Sequence, residues 1–230
     1  MSTRKFMVIG GRIDHFDEVF GYPCDLVCLD LEDTVPAVRK EAVRGAVGGF
    51  IAMGRQRGVK TAIRVSALST SDGLRDLLLM QAQQQAPDMV VQAKAESPEE
   101  VALVRDLLAP RLGSFHLQPI IETVRALARV EQIAAVAGVG SISLGGKDLS
   151  ESLRVERAWE PMLYARSRCA AAAAMATVDI VDGPQSKDTS LDDLRALCVQ
   201  LKALGFAGKS AIFPEHLPVI NEIWGITNLP

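Results

Sequence analysis

Short strand-like runs and helix-like runs alternate along this chain from end to end, eight of each. Lys5 to Gly10 predicts a first strand and Arg12 to Phe20 a short helix. Asp25 to Glu32 is the second strand, followed by the charged, Ala- and Val-rich helix Val38 to Gln56. Thr61 to Ser66 precedes a helix from Asp72 to Gln85. Met89 to Lys94 precedes a helix that Ser97 caps, Pro98 opens and Leu108 ends. Phe115 to Glu122 leads into Thr123 to Ala137, and Ser141 to Gly145 into a loop and then Glu160 to Ala176. Val178 to Val181 is followed by Leu191 to Leu204, and Ala211 to Phe213 by Leu217 to Trp224. Alternation with short connections calls for a parallel sheet. Eight units predict an α/β chain closed into a (β/α)₈ TIM barrel, a single domain over residues 1–230. A doubly wound open sheet is the alternative, but no GxGxxG follows the first strand.

Period-two alternation then assigns each strand residue a side. In the fifth strand Phe115, Leu117 and Ile121 face the helices, while His116, Gln118, Ile120 and Glu122 face the barrel axis. In the second, Val27, Leu29 and Leu31 face outward, Asp30 and Glu32 inward, with Asp33 just beyond. In the third, Arg64 points inward between Ile63 and Val65. Lys94 and Glu96 close the fourth strand, Gly145-Gly146-Lys147-Asp148 the sixth, and Asp182 the seventh. Barrel enzymes do their chemistry at this C-terminal end, and buried carboxylates gathered there need a cation or an arginine to offset them. The alternative is a network of structural salt bridges beneath the loops.

Two carboxylates from neighbouring strands suit a hard divalent ion that keeps open positions for substrate oxygens. Glu122 and Asp148 are the expected metal ligands, for magnesium or for manganese in its place. Zinc fits less well, because among His15, His116 and His216 only His116 lies on an inward strand face, and it reads as a core histidine. His15 and His216 are expected to contact solvent. The guanidinium of Arg64 offers a fork for a carboxylate, and the Gly145-Gly146 step lets backbone approach a bound anion.

The formal charge of −3 leaves no basic footprint for nucleic acid, and no apolar run is long enough to span a membrane. Met1-Ser-Thr-Arg-Lys5 and the short apolar segment after it do not read as a signal peptide. Cys24, Cys28, Cys169 and Cys198 form no CxxC pair and no zinc spacing, as expected of reduced, mostly buried thiols in a cytoplasmic protein.

At these residues the chain resembles the HpcH/HpaI aldolase and citrate lyase superfamily, most closely its citrate lyase β-subunit-like branch. The matching segments are Cys28-Leu-Asp-Leu-Glu-Asp-Thr-Val35 with Lys40, Ala62-Ile-Arg-Val65, Ala93-Lys-Ala-Glu-Ser97, Ile120-Ile-Glu-Thr123, Leu144-Gly-Gly-Lys-Asp-Leu149, Ala165-Arg-Ser-Arg168 and Leu204 to Pro214. The resemblance implies a TIM barrel that uses magnesium to cleave or form carbon–carbon bonds beside an oxo-acid. It carries Glu122 and Asp148 over as metal ligands and Arg64 as the substrate-binding group. Glu32 and Asp33 become the acidic pair after the second strand, with Lys40 as their partner. Homotrimers or homohexamers are implied as well. The chain departs from the pattern at Ala93, where the family has proline, at Lys147, where it has an acidic residue, and at Phe213, where it has histidine. No counterpart is expected after Pro230 of the C-terminal catalytic aspartate that some acyl-CoA lyases of the superfamily carry.

The expected reaction is retro-aldol or retro-Claisen cleavage, or the reverse condensation, between an oxo-acid such as oxaloacetate, pyruvate or glyoxylate and a coenzyme A or carrier-protein thioester. Arg64, Glu32 and Asp33 are the expected catalytic residues, and Arg64, Gly145, Gly146 and Lys147 the substrate-binding ones. Glu32, Asp33 or a water they orient is the candidate proton acceptor. A Schiff-base aldolase using Lys147 or Lys94 is a second reading, which the surrounding carboxylates oppose. A non-catalytic, regulatory oxo-acid-binding paralogue is a third.

Overall fold

The structure, a computed structural model, describes residues 5–9 and 13–225, with side chains described from residue 13 onward. Eight parallel strands close in sequence order, β1 pairing with both β2 and β8. They are β1 Lys5–Ile9, β2 Leu26–Asp30, β3 Lys60–Val65, β4 Met89–Gln92, β5 His116–Ile121, β6 Ser141–Leu144, β7 Asp179–Asp182 and β8 Gly208–Ala211. The helices are α1 Phe16–Val19, α2 Lys40–Arg57, α3 Ser71–Ala82, α4 Pro98–Leu112, α5 Val124–Ala128, α6 Val130–Ala134, α7 Gly146–Leu153, α8 Trp159–Ala176, α9 Leu191–Ala203 and α10 Leu217–Trp224. The expected barrel is therefore the observed one. Gly10 and Arg12, at the bounds of the first strand and helix read from sequence, lie outside the described residues. None of the described helices is long and apolar enough to cross a membrane.

Alternation sorts the core into two layers. Val27, Leu29, Ile63, Val65, Val90, Leu117, Ile121, Ile142, Leu144 and Ile180 pack outward against the helices. Leu26, Cys28, Ala62, Met89, Val91, Ile120 and Val181 fill the barrel interior. The interior apolar plug ends one residue short of the C-terminal rim on β2, β3 and β5, where Asp30, Arg64 and Glu122 take over.

Four expectations are corrected. The last strand is Gly208–Ala211 rather than Ala211–Phe213: its outward Lys209 is fully buried against Asp182, so the strand carries no apolar signature. The stretch after β6 is helix α7, not loop, and the helix expected over residues 123–137 is two short ones. His216 is buried edge-on to Phe213, with ring centroids 5.6 Å apart, instead of meeting solvent.

The end of β3 is fixed from outside. Arg44 on α2 binds Asp76 through Nε at 2.7 Å and Asp72 through Nη2 at 2.9 Å, while Asp76 accepts the Ser66 N–H at 2.9 Å. Lys40 joins this network through Asp72 at 2.8 Å, so its partner is not the acidic pair after β2. Helix α3 starts hard against the same loop: a Cβ on Gly73 would lie 2.1 Å from the Ala67 carbonyl oxygen, whereas one on Gly45 of α2 would meet nothing within 4 Å. Gly73→Ala is accordingly expected to cost about 1–3 kcal/mol through overpacking, and Gly45→Ala to add about 0.5–1 kcal/mol through helix propensity. Urea denaturation of the two variants checks the opposite signs.

Candidate active site

The C-terminal mouth of the barrel opens into a cavity of about 440 Å³. Asp33, Arg64, Glu122, Gly145, Gly146, Lys147 and Asp148 all line it, so the residues expected from sequence converge, with Glu32 directly behind them. Cys28, Gln118, Ser143, Arg157, Gly183 to Lys187, Ser210 and Phe213 are among the other residues of the wall.

Asp30 and Arg64 are direct cross-strand neighbours on β2 and β3, which is why their side chains meet. Arg64 donates from Nε to Oδ1 and from Nη2 to Oδ2 of Asp30, both at 2.6 Å, and its Nη1 lies 3.4 Å from Glu32. Asp30 also accepts the N–H groups of Glu32 and Thr34, each at 2.9 Å, and the Thr34 hydroxyl. Burial alone would raise the Asp30 pKa, but Arg64 outweighs it and holds the carboxyl below its ordinary value. The fork of Arg64 is thus already turned onto a carboxylate of this chain, and Nη1 is the donor placed towards Glu32. Cys28, on the same strand, has its thiol pushed up to about 12, chiefly by burial, so it is inert.

Lys94, read from sequence as closing the fourth strand and as a Schiff-base candidate, ties the cluster together as an ion-pair partner. It sits just past β4 with φ of +48°, a left-handed conformation unusual for a side chain with a Cβ. That geometry sends its backbone N–H to Glu122 Oε1 at 2.7 Å and its ammonium to Glu32 Oε1 at 2.7 Å. The ammonium also reaches Asp148 at 3.2 Å and Asp33 at 3.7 Å. Burial pulls the Lys94 pKa down, but Glu32 and its neighbours more than reverse this and keep the amine protonated. The expected ion-pair network beneath the loops and the expected carboxylate cluster are one and the same arrangement.

Glu122 follows β5 and is 4% exposed. A Cβ on Gly145 would fall 2.5 Å from its Cβ and Oε2, so the space that glycine leaves is filled by Glu122 itself. Asp148, in the first turn of α7, shares Lys94 with it and presents its carboxylate at the rim. Among the described residues no group of three or more His, Cys, Asp or Glu side chains forms a cage for a metal. Two hard carboxylates beside an open cavity do fit magnesium, which takes one or two protein oxygens and keeps its other positions for water and substrate.

Burial raises the pKa of Glu122 to about 7, against the Lys94 N–H, and raises that of Glu32 as well, against Arg64 and Lys94. The folded chain therefore keeps a proton on Glu122 at pH values where the unfolded chain has released it. Stability from this residue is complete at low pH and declines as pH rises towards about 7. Without added divalent cation, unfolding free energy is expected to drop by about 1–3 kcal/mol from this source between about pH 5 and pH 7.5. Glu122→Gln should flatten that part of the profile; an unchanged slope in urea melts across the range would assign it to other groups.

With the geometry in place, comparison with known proteins is direct. The model of the HpcH/HpaI aldolase/citrate lyase family matches residues 7–214. The citrate lyase β subunit of Escherichia coli K12 is 27% identical over 98% of this chain and 78% of its own length. L-malyl-CoA/β-methylmalyl-CoA lyase of Rhodobacter capsulatus is 25% identical over 94% of this chain and 76% of its own. A solved structure of the Mycobacterium tuberculosis citrate lyase β subunit with oxaloacetate and magnesium superposes with a TM-score of 0.82, at 25% identity over 97% of both chains. A closed eight-stranded barrel with its carboxylates gathered at the C-terminal mouth, matched over almost its whole length, makes this chain an enzyme of the HpcH/HpaI aldolase/citrate lyase family.

Proposed function

We propose that this chain is a magnesium-dependent carbon–carbon lyase that cleaves or forms the bond between an oxo-acid and the acyl part of a coenzyme A or carrier-bound thioester. The observation that carries the reading is the placement of Glu122 and Asp148 on adjoining units of the barrel, both facing the cavity and both within reach of Lys94. It is supported by the relatives, which include a malyl-CoA lyase and a citrate lyase β subunit solved with oxaloacetate and magnesium.

In this proposal Glu122 and Asp148 hold the ion. When bound, the divalent cation supplies Lewis-acid polarisation of the oxo group of the substrate. Arg64 Nη1, the Lys94 ammonium and the backbone N–H groups opening α7 put positive potential around the charge that develops as the bond breaks. Glu32 is pinned between Arg64 and Lys94. Asp33 is the more exposed acid, with half its side chain exposed and its carboxylate on the cavity, so it is the better placed proton acceptor. The Schiff-base alternative loses support at Lys94, whose amine is kept charged by three carboxylates.

The test is calorimetric binding of pyruvate, oxaloacetate and glyoxylate with and without magnesium. Wild type should bind at least one of them only with the ion. Glu122→Gln and Asp148→Asn should each weaken this by about tenfold to a hundredfold, the range seen when a metal-site group is lost, while circular dichroism stays native. Ion-independent binding, or a covalent adduct on borohydride treatment with pyruvate, would replace this reading with the lysine one.

A further inference from the structure

Charge is unevenly distributed around the cavity. On the β2–β4 side the cations are matched, Arg64 by Asp30 and Glu32, Lys94 by Glu32 and Asp148. Across the cavity, where the segment after α7 meets the loop after β7, the balance reverses. Arg157 lines the cavity half-buried, and among the described residues no carboxylate lies within 4.0 Å of its guanidinium. Its Nη2 donates to the Pro184 carbonyl at 2.6 Å, which aims the fork without neutralising it. With its amide turned to satisfy its neighbours, Gln185 accepts from the same nitrogen and from Lys209 Nζ, each at 3.2 Å.

A second arginine stands behind the first. Arg166 on α8 is 3% exposed, donates to the carbonyls of Ala158 and Trp159 at 3.1 Å, and lies 4.9 Å from the Trp159 ring centroid. Among the described residues its Nε has no partner, and no carboxylate pairs with it either. Asp182, the acid whose field both arginines feel most, is already bound to Lys209. At the rim, exposed Lys147 and Lys187 add two ammonium groups that likewise have no carboxylate within ion-pair distance among the described residues. An arginine withdrawn from water without a counter-charge is costly, and the group that relieves the cost best is a planar oxyanion taken by its fork.

We propose that Arg157, with Lys147 and Lys187 at the rim, forms a second anion subsite that takes the carboxylate at the far end of a dicarboxylic oxo-acid. The inference rests on the reading that the oxo-acid end lies against Glu122 and Asp148. The cavity, at about 440 Å³, is much larger than a three-carbon acid fills, and the Arg157 guanidinium stands beside the oxo-acid end, its Nε 3.4 Å from where a Cβ on Gly146 would lie, two residues from Asp148. Specificity then comes from Arg157, while Arg64 remains committed to Asp30.

Binding of matched acids tests this: oxaloacetate against 2-oxobutanoate, and 2-oxoglutarate against 2-oxopentanoate, all with magnesium. Wild type should favour at least one dicarboxylate over its uncharged-tail match by about tenfold, the worth of a charged hydrogen bond. Arg157→Gln should bring that preference to within about twofold with the monocarboxylate unaffected, and Lys147→Ala should lower it in part. Arg157→Lys, which keeps the charge and loses the fork, serves if the glutamine variant does not fold, and should fall between the two. No preference in wild type, or an equal loss for both members of a pair, overturns the assignment. If wild type binds none of the four acids, the oxo-acid reading itself fails, and inorganic phosphate decides the subsite. Protection from thermal unfolding that Arg157→Gln abolishes would keep an anion site but overturn the carboxylate assignment; no protection would remove the site altogether.

Discussion

Lys94 touches the cluster twice, through its backbone N–H to Glu122 and through its ammonium to Glu32 and Asp148. Neither contact is available to an ordinary extended residue at the end of β4. The φ of +48° that makes both possible costs a residue with a Cβ about 1 kcal/mol or more. Charge-assisted bonds to three acidic side chains outweigh that cost. Without this lysine, Glu32, Glu122 and Asp148 would face one another across a partly dry cavity with no cation in contact with Asp148, and the nearest arginine to Glu32, Arg64, is engaged by Asp30. The conformation of one backbone unit thus sets how much negative charge the mouth can gather.

Much of this was legible from residue order. Alternation of strand and helix patterns was enough for the barrel, and period-two counting placed Asp30, Glu32, Arg64 and Glu122 on the inner face. What hid from it had separate causes. Lys209 disguised β8 because a buried ion pair looks polar in sequence. The left-handed turn at Lys94 has no signature, since lysine is not a residue that favours it. Arg157 and the Pro184-Gln185 turn lie in connections, where no periodicity tells inside from outside. Helix α7 follows Gly145 and opens on Gly146 and Lys147, which read as loop, yet it is the element that carries Asp148 to the rim.

The two arginines on the cavity show how much a single strand register decides. Arg64 and Arg157 have the same chemistry, and sequence alone favours Arg64 because it stands on an inward strand position. The β2–β3 register then sets Asp30 opposite it, and a forked salt bridge follows. Arg157 stands on no strand and has no such neighbour. Its Nη2 is shared between a backbone and an amide oxygen that carry no full charge. One arginine thereby becomes part of the scaffold, and the other keeps its charge available.

The same logic recurs on the outer face. Asp182 and Lys209 are also cross-strand partners, on β7 and β8, and both are almost entirely buried. One pair points into the barrel and the other into the layer between strands and helices. Buried pairs of this kind add little net stability over apolar packing, but separating the partners is expensive. A slip of one residue in either register would turn one charge to the opposite face and leave its partner buried alone. The two pairs therefore specify alignment on both sides of the cavity. The second does more, because Lys209 also donates to the Gly183 carbonyl at 2.6 Å. That bond anchors the loop whose next residue, Pro184, aims Arg157 at the cavity.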